Sequence, residues 1–191
     1  MKFDQIYHEH VSYFTVKYLK SFLQKINLSI TNIQETEYHG GSLRVFVENK
    51  KSLLGDQLVK NYIKKEEAQG LFKKKTYDNF MQKLRKRKIL LVKKILNFKS
   101  LNYKIVGVGA AAKANTFINY MGFNNETIDF VTDISKFKIG KWLPLSRIPI
   151  KSDDNLRDIK KLCVIVLSWN LHKILKPKIL KINKYAKIIS F

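Results

Sequence analysis

One cysteine, three prolines and five arginines in 191 residues remove several classes of protein at once. Cys163 by itself cannot make an internal disulfide or a multi-cysteine zinc site. Its place in Leu162-Cys163-Val164-Ile165-Val166-Leu167 predicts a buried, inert thiol. No apolar run approaches the ~18 residues of a membrane-spanning helix. Met1 to Val11 is polar and aromatic, without the apolar stretch of a secretory leader. A reducing, cytoplasmic setting with no membrane partner is the expectation. Acid is scarce as well: 15 Asp and Glu stand against 37 Lys and Arg, for a formal net charge of +22. That balance invites a nucleic-acid reading. Against it, Arg, the side chain that reads phosphate and guanine bidentately, is nearly missing. Lysines are spread along the whole chain, as codon bias in an AT-rich genome would leave them. The densest basic runs, Lys73-Lys74-Lys75 and Lys83 to Lys88, lack interleaved stacking aromatics and zinc-finger spacing, and a solvated helix face accounts for them. Nucleic acid is not the expected partner, and a polyanion-binding protein is favoured by charge alone.

What is present is apolar patterning sufficient for a core, with 45% hydrophobic residues. After an irregular start, Phe14, Leu19, Phe22 and Leu23 predict a short amphipathic helix beginning near Ser12. Leu28 to Tyr38 and Ser42 to Glu48 read as strands on either side of Gly40-Gly41, paired as a hairpin or as neighbours. From Leu53 to Asn97 the pattern is helical, broken at Gly70. Beyond Tyr103 the texture changes. Lys104 to Gly109 is a short buried strand, Ala110 to Tyr120 a helix stopped at Gly122, and Ile128 to Val131 a strand leading to Asp133. After an irregular segment, Leu162 to Leu167 is apolar throughout, as an internal strand of a parallel sheet would be. Leu171 to Asn183 is helical, with Pro177 expected to kink or split it, and Ala186 to Phe191 is a last strand. This order predicts an α/β fold: a Rossmann-like parallel sheet with flanking helices, preceded by a two-stranded and helical segment.

Two short stretches, Tyr7-His8-Glu9-His10 and His39-Gly40-Gly41-Ser42, hold three of the four histidines. Imidazole titrates near neutral pH, so this density of His, Glu and Tyr suits proton abstraction. In an extended segment, His8 and His10 would share one side and Tyr7 and Glu9 the other. A polar stretch capping the next helix is the plainer alternative. The spacing is not His-Glu-x-x-His, and no metal site is expected. Gly107-Val108-Gly109-Ala110-Ala111-Ala112-Lys113 follows a strand and opens a helix, where backbone amides favour an anion. Close helix–strand packing explains the same glycines. Asp133 lies where dinucleotide folds place a ribose-binding acid, and also where a turn would use an Asp.

Taken together, Phe3 to Phe14, His39 to Val45 and Gly107 to Thr116 resemble the sugar C-methyltransferase family that uses S-adenosylmethionine. Asp133, Gly140, Pro144, Ile148-Pro149-Ile150 and Ser168-Trp169-Asn170 continue the resemblance in the same order. Members of that family combine a small zinc-binding domain, a middle domain that binds S-adenosylmethionine, and a Rossmann-like C-terminal domain. The resemblance implies that residues 1–52 are left over from the end of the middle domain. Residues 53–100 are then connecting helices and residues 101–191 the C-terminal domain. The zinc-binding cysteines and the glycine-rich methyl-donor motif are missing, so independent catalysis is not expected.

The implied reaction removes a proton beside the carbonyl of a nucleotide-linked ketosugar, and the resulting enolate attacks the methyl group of S-adenosylmethionine. By resemblance, His10 is the base, Glu9 and Tyr7 orient the sugar or stabilise the enolate, and His39 is a second participant. The choice among His8, His10 and His39 stays open. His8, Gly40 and Gly41 belong to the implied substrate pocket, and Gly107, Gly109 and Lys113 to the diphosphate site. Asn115 lines the same cleft, and Trp169 either lines it or packs. A separately encoded methyl-donor domain is the implied partner. The alternative is a sugar-nucleotide-binding module or decayed remnant without activity.

Overall fold

The computed structural model of the chain describes residues 3–38, 41–49 and 55–189. It divides into two units, one of Met1–His10 with Gln82–Phe191 and one of Val11–Met81.

In the Val11–Met81 unit, helix α1 (Val16–Lys25) starts about four residues later than its hydrophobic pattern suggests, because Thr15 caps it by accepting from Tyr18 N. Strands β1 (Ser29–Thr36) and β2 (Ser42–Glu48) pair antiparallel, as a hairpin. The register shifts between Ile30 and Asn32, so Thr31 is an extra residue. That bulge turns Ile30 and Ile33, three apart, onto one buried face, which a strict period of two would forbid. Helix α2 (Asp56–Ala68) adds Val59 to a core of Val16, Leu23, Ile30 and Ile33. It also supplies Glu66, a buried carboxylate that accepts from Val16 N at 2.6 Å and Lys17 N at 3.1 Å. These are first-turn amides of α1 with no partner inside the helix, and the negative charge suits the helix N-terminus.

Helix α3 (Lys74–Ser100) crosses from one unit to the other and leads into the sheet. There follow β3 (Lys104–Val108), α4 (Ala112–Met121), β4 (Phe130–Thr132), β5 (Ile150–Lys151), β6 (Leu162–Val166), α5 (His172–Ile182) and β7 (Lys187–Ile189). The strand order is β5-β4-β3-β6-β7 and every pairing is parallel. The expected α/β architecture is therefore present, a five-stranded parallel sheet with helices and a separate two-stranded antiparallel sheet. Strand β5 falls in the stretch read as irregular, since two residues carry no periodicity. Pro177 does not split α5, which runs unbroken past it. Packing of Leu175, Ile179 and Ile182 onto Val106, Val108, Val164 and Val166 outweighs the one hydrogen bond that proline removes. Asn183 fastens the helix end by donating to Leu156 O and Ile159 O. Between β3 and β6 the chain switches from building one side of the sheet to the other, and such switch points open a crevice at the strands' C-terminal ends.

Cys163 is fully buried in β6, and burial pushes its thiol up to about 12. An exposed thiol titrates near 8.5, so the stability tied to the neutral form is complete below about pH 8.5 and is lost as pH rises toward 12. Urea titrations should show wild type losing stability relative to Cys163→Ala between about pH 8.5 and 10. A thiol reagent should label the protein only on unfolding; rapid labelling of the native state would contradict the burial.

Candidate functional site

Residues Phe3–Gln5 form a single 3-10 turn whose Phe3 ring packs on the helix α4 aromatics. Its centroid lies 5.1 Å from Tyr120, 6.3 Å from Phe117 and 6.2 Å from Trp169. A buried aromatic of this size anchors the short segment that follows it. That segment is turned, not extended: Tyr7 N donates to Gln5 O and His10 N to Tyr7 O. The turn corrects the expected pairing of sides. Tyr7 and His10 come together, with ring centroids 4.2 Å apart, while His8 and Glu9 point into solvent with 4.0 Å between Nε2 and Oε1. At that distance and exposure the His8–Glu9 pair contributes little.

His10 Nδ1 lies 2.7 Å from Gln5 O. A carbonyl can only accept, so Nδ1 carries the hydrogen and, in the neutral ring, Nε2 keeps the basic lone pair. This is the arrangement a general base requires, and it is set by local chain geometry.

A cleft of about 340 Å³ opens at the C-terminal end of β3. It is bordered by His8, by Ala110–Ala112 and Asn115 at the start of α4, and by Phe137, Lys138, Lys141 and Trp142 from the β4–β5 connection. Ala111 at the N-cap of α4 has no side-chain acceptor for the first-turn amides, so those donors remain for a ligand. Lys138, paired with Asp133, and Lys141 are the basic groups of the opposite wall.

Asp133 holds these walls together. Its Oδ2 accepts from Ala110 N at 2.9 Å and from Lys138 Nζ at 3.2 Å, and its Oδ1 from Ser135 N at 2.9 Å. Lys138 Nζ donates further to Ala110 O at 2.9 Å. These bonds give Asp133 the turn-forming role, the plainer of the two readings of its position.

The remaining candidates separate. Gly109 ends β3 at φ 99°, and a Cβ there would meet Ser168 Oγ at 2.4 Å, so β3 and β6 approach closely at the switch point because this residue is glycine. Gly107 lies inside β3, where a Cβ would meet Leu167 Cδ1 at 2.6 Å and Val131 Cγ2 at 3.0 Å; it is placed for packing. Asn115 borders the cleft, and its Oδ1 is buried without a hydrogen-bond partner. Lys113, in the first turn of α4, is not among the cleft residues. Trp169 packs edge-on to Phe117 at 5.4 Å. Gly41 lies in the β1–β2 connection of the other unit, and His39 and Gly40 fall outside the described residues. Lys138 and Lys141 are the cleft cations that sequence reasoning missed. Their spacing beside two aromatics is a signal, but one submerged among 37 basic residues.

Residues 37–188 match the family model described as the C-methyltransferase C-terminal domain. The chain belongs to this family. Among curated proteins, this C-methyltransferase C-terminal domain is similar to the C-methyltransferase NovU of Streptomyces niveus, at 27% identity over 173 residues. The alignment covers 88% of this chain and 40% of that protein, so the chain spans well under half of its relative's length.

Membership of a methyltransferase family implies S-adenosylmethionine as methyl donor. The cleft does not fit it. Lys138 and Lys141 would face a sulfonium cation, and the Gly107 slot is filled by Leu167 and Val131. Among the described residues, no group of three or more His, Cys, Asp or Glu could hold a metal ion, and no helix is long and apolar enough to cross a membrane.

Replacing Asp133 by Ala removes three hydrogen bonds at once and leaves Lys138 without its counter-ion. We expect a loss of at least about 2 kcal/mol in stability, since a hydrogen bond to a charged group contributes ~1.5–3 kcal/mol net of water and three are lost together. Amide exchange at Ala110 and Ser135 should accelerate most; unchanged exchange there would show that Asp133 does not hold the walls.

Proposed function

We propose that this chain is the substrate-binding, proton-handling portion of an enzyme that C-methylates a nucleotide-linked ketosugar. The observation that carries the reading is the fastening of the Tyr7–His10 turn to the sheet-bearing unit, with His8 on the cleft border and His10 in the tautomer that leaves Nε2 basic. Abstraction of a proton beside a carbonyl needs a base of near-neutral pKa close to the carbon, and a donor close to the oxygen that gains charge. His10 Nε2 is the base. Tyr7, whose ring is tilted against that of His10, and Glu9 hold the sugar or the developing oxyanion. The cationic wall of Lys138 and Lys141, the uncapped start of α4 and Asn115 take the nucleotide end. Gly109 allows the backbone to come close there. Residues that bind the methyl donor lie outside this chain, on a partner domain, and methyl transfer itself is not a task of this cleft.

A second reading, a non-catalytic sugar-nucleotide-binding module, draws on the poor fit of the cleft to S-adenosylmethionine. The two differ in one assay. Supplied with a methyl-donor-binding domain, the chain should methylate a nucleotide-ketosugar, and His10→Ala should reduce the rate about 10²- to 10⁴-fold, the usual contribution of a general base. Full activity in His10→Ala would remove His10 from its role, and no methylation with any pairing would favour the module.

Binding gives an independent check. A nucleotide-sugar should raise the thermal midpoint of the chain, since a ligand that binds only the native state stabilises it by mass action. S-adenosylmethionine should leave the midpoint in place; a shift with the methyl donor alone would overturn this reading of the cleft.

A further inference from the structure

The connection between β4 and β5 displays large apolar side chains on a stiff frame. Ile134, Phe137, Trp142 and Leu145 all stand in solvent, at 86%, 87%, 65% and 86% exposure. Solvent-exposed apolar residues scattered singly need no explanation, but four on one loop do. The loop is not slack. Gly140 N donates to Ile150 O at 2.9 Å, Ile150 N to Lys141 O at 2.8 Å and Leu143 N to Ile148 O at 2.9 Å. Leu143 and Ile148 are buried beneath it. Leu145 and Arg147 hold left-handed φ of 63° and 52°, a conformation that non-glycine residues keep where their surroundings impose it.

Phe137 and Trp142 border the cleft along with Lys138, Lys141 and Asn115. Two aromatic rings kept in water by a rigid frame, next to two ammonium groups, suit a ligand that joins a planar ring to an anion. Every nucleobase offers a π-face for stacking, and a preformed loop loses little entropy on binding it. An acidic peptide would use the cations and leave the rings idle, and a free sugar would use neither charge. Lys138 commits N–H donors to Ala110 O and Asp133 and has a third for a ligand. The cleft volume of about 340 Å³ falls within the range of ~300–1,000 Å³ usual for small-molecule sites.

We propose that the β4–β5 connection is the nucleoside-diphosphate recognition element of the cleft. Trp142 and Phe137 take the base, and Lys138 and Lys141 take the diphosphate. The proposal rests on the nucleotide-sugar reading above and deepens it by assigning base and phosphate to particular residues. Asn115 Oδ1 then accepts from a ligand hydroxyl or N–H.

The chain has two tryptophans, so Trp169→Phe leaves Trp142 as the single indole reporter. Uridine, thymidine, adenosine and guanosine 5′-diphosphates, with inorganic diphosphate as control, would be titrated against this protein by fluorescence and calorimetry. At least one nucleoside diphosphate should quench Trp142, and inorganic diphosphate should compete without quenching. In the otherwise wild-type chain, Trp142→Ala should weaken nucleotide binding roughly five- to a hundredfold, the range for loss of base–aromatic stacking, and Trp142→Phe should restore most of it. Lys141→Gln should weaken both ligands and flatten the salt dependence. If a nucleoside diphosphate binds and neither Trp142→Ala nor Phe137→Ala alters its affinity, this placement is wrong while the nucleotide-sugar reading survives. If no nucleoside diphosphate binds, the placement is wrong too, and the broader reading then depends on the methylation assay alone.

Discussion

The carboxylate of Asp133 joins three pieces of backbone that would otherwise be independent: the end of β3 at Ala110, the turn at Ser135 and, through Lys138, the wall that follows it. The cleft exists because these pieces are held at fixed separation. The ion pair also decides where charge sits, since Lys138 is drawn to the Ala110 carbonyl at the mouth of the α4 turn. A partly buried pair of this kind contributes more through geometry than through net energy, because desolvation offsets much of the attraction. Remove it, and the cation, the uncapped amides of α4 and the aromatic loop no longer share one border.

A second constraint is the docking of Phe3. One ring placed against Phe117, Tyr120 and Trp169 ties the polar turn from Tyr7 to His10 to the same unit as the cleft. The turn then supplies its own orientation of His10 through Gln5 O. The turn carrying His10 and the cleft bordered by Lys138 and Lys141 therefore belong to one unit. Lysine ammonium groups on such a border favour an anionic ligand over a cationic one.

Much of the fold was legible in the residues. The apolar runs at Lys104–Val108 and Leu162–Val166 announce central parallel strands, because both faces of such strands are covered. Other features needed partners that lie far along the chain. Ile30 and Ile33 share a face only through a bulge; β5 is two residues long and exists by pairing with β4; α5 passes Pro177 because it is packed from both ends. The candidate site draws on residues of both kinds. Tyr7 to His10 and the Gly107–Lys113 turn stood out by composition, yet the pairing of Tyr7 with His10, and not of His8 with His10, follows from a turn that no alternation reveals. Lys113 looked like the cleft cation from its place in the motif, while Lys138 and Lys141 occupy that border from a loop some distance on.

By itself, the sequence determined what depends on local chemistry: a parallel α/β core from apolar runs, a buried thiol at Cys163, a dense cluster of Tyr, His and Glu near the first residues, and a scarcity of arginine that argues against phosphate reading by bidentate forks. Only the tertiary structure decided which groups meet. Gly107 packs while Gly109 lets β3 and β6 approach, Asp133 fastens the turn at Ser135 to the end of β3, and Phe137 and Trp142 border the cleft. The reason is physical. Periodicity and propensity act over a few neighbouring residues, whereas a cleft is defined by contacts between segments whose separation in sequence carries no record of their distance in space.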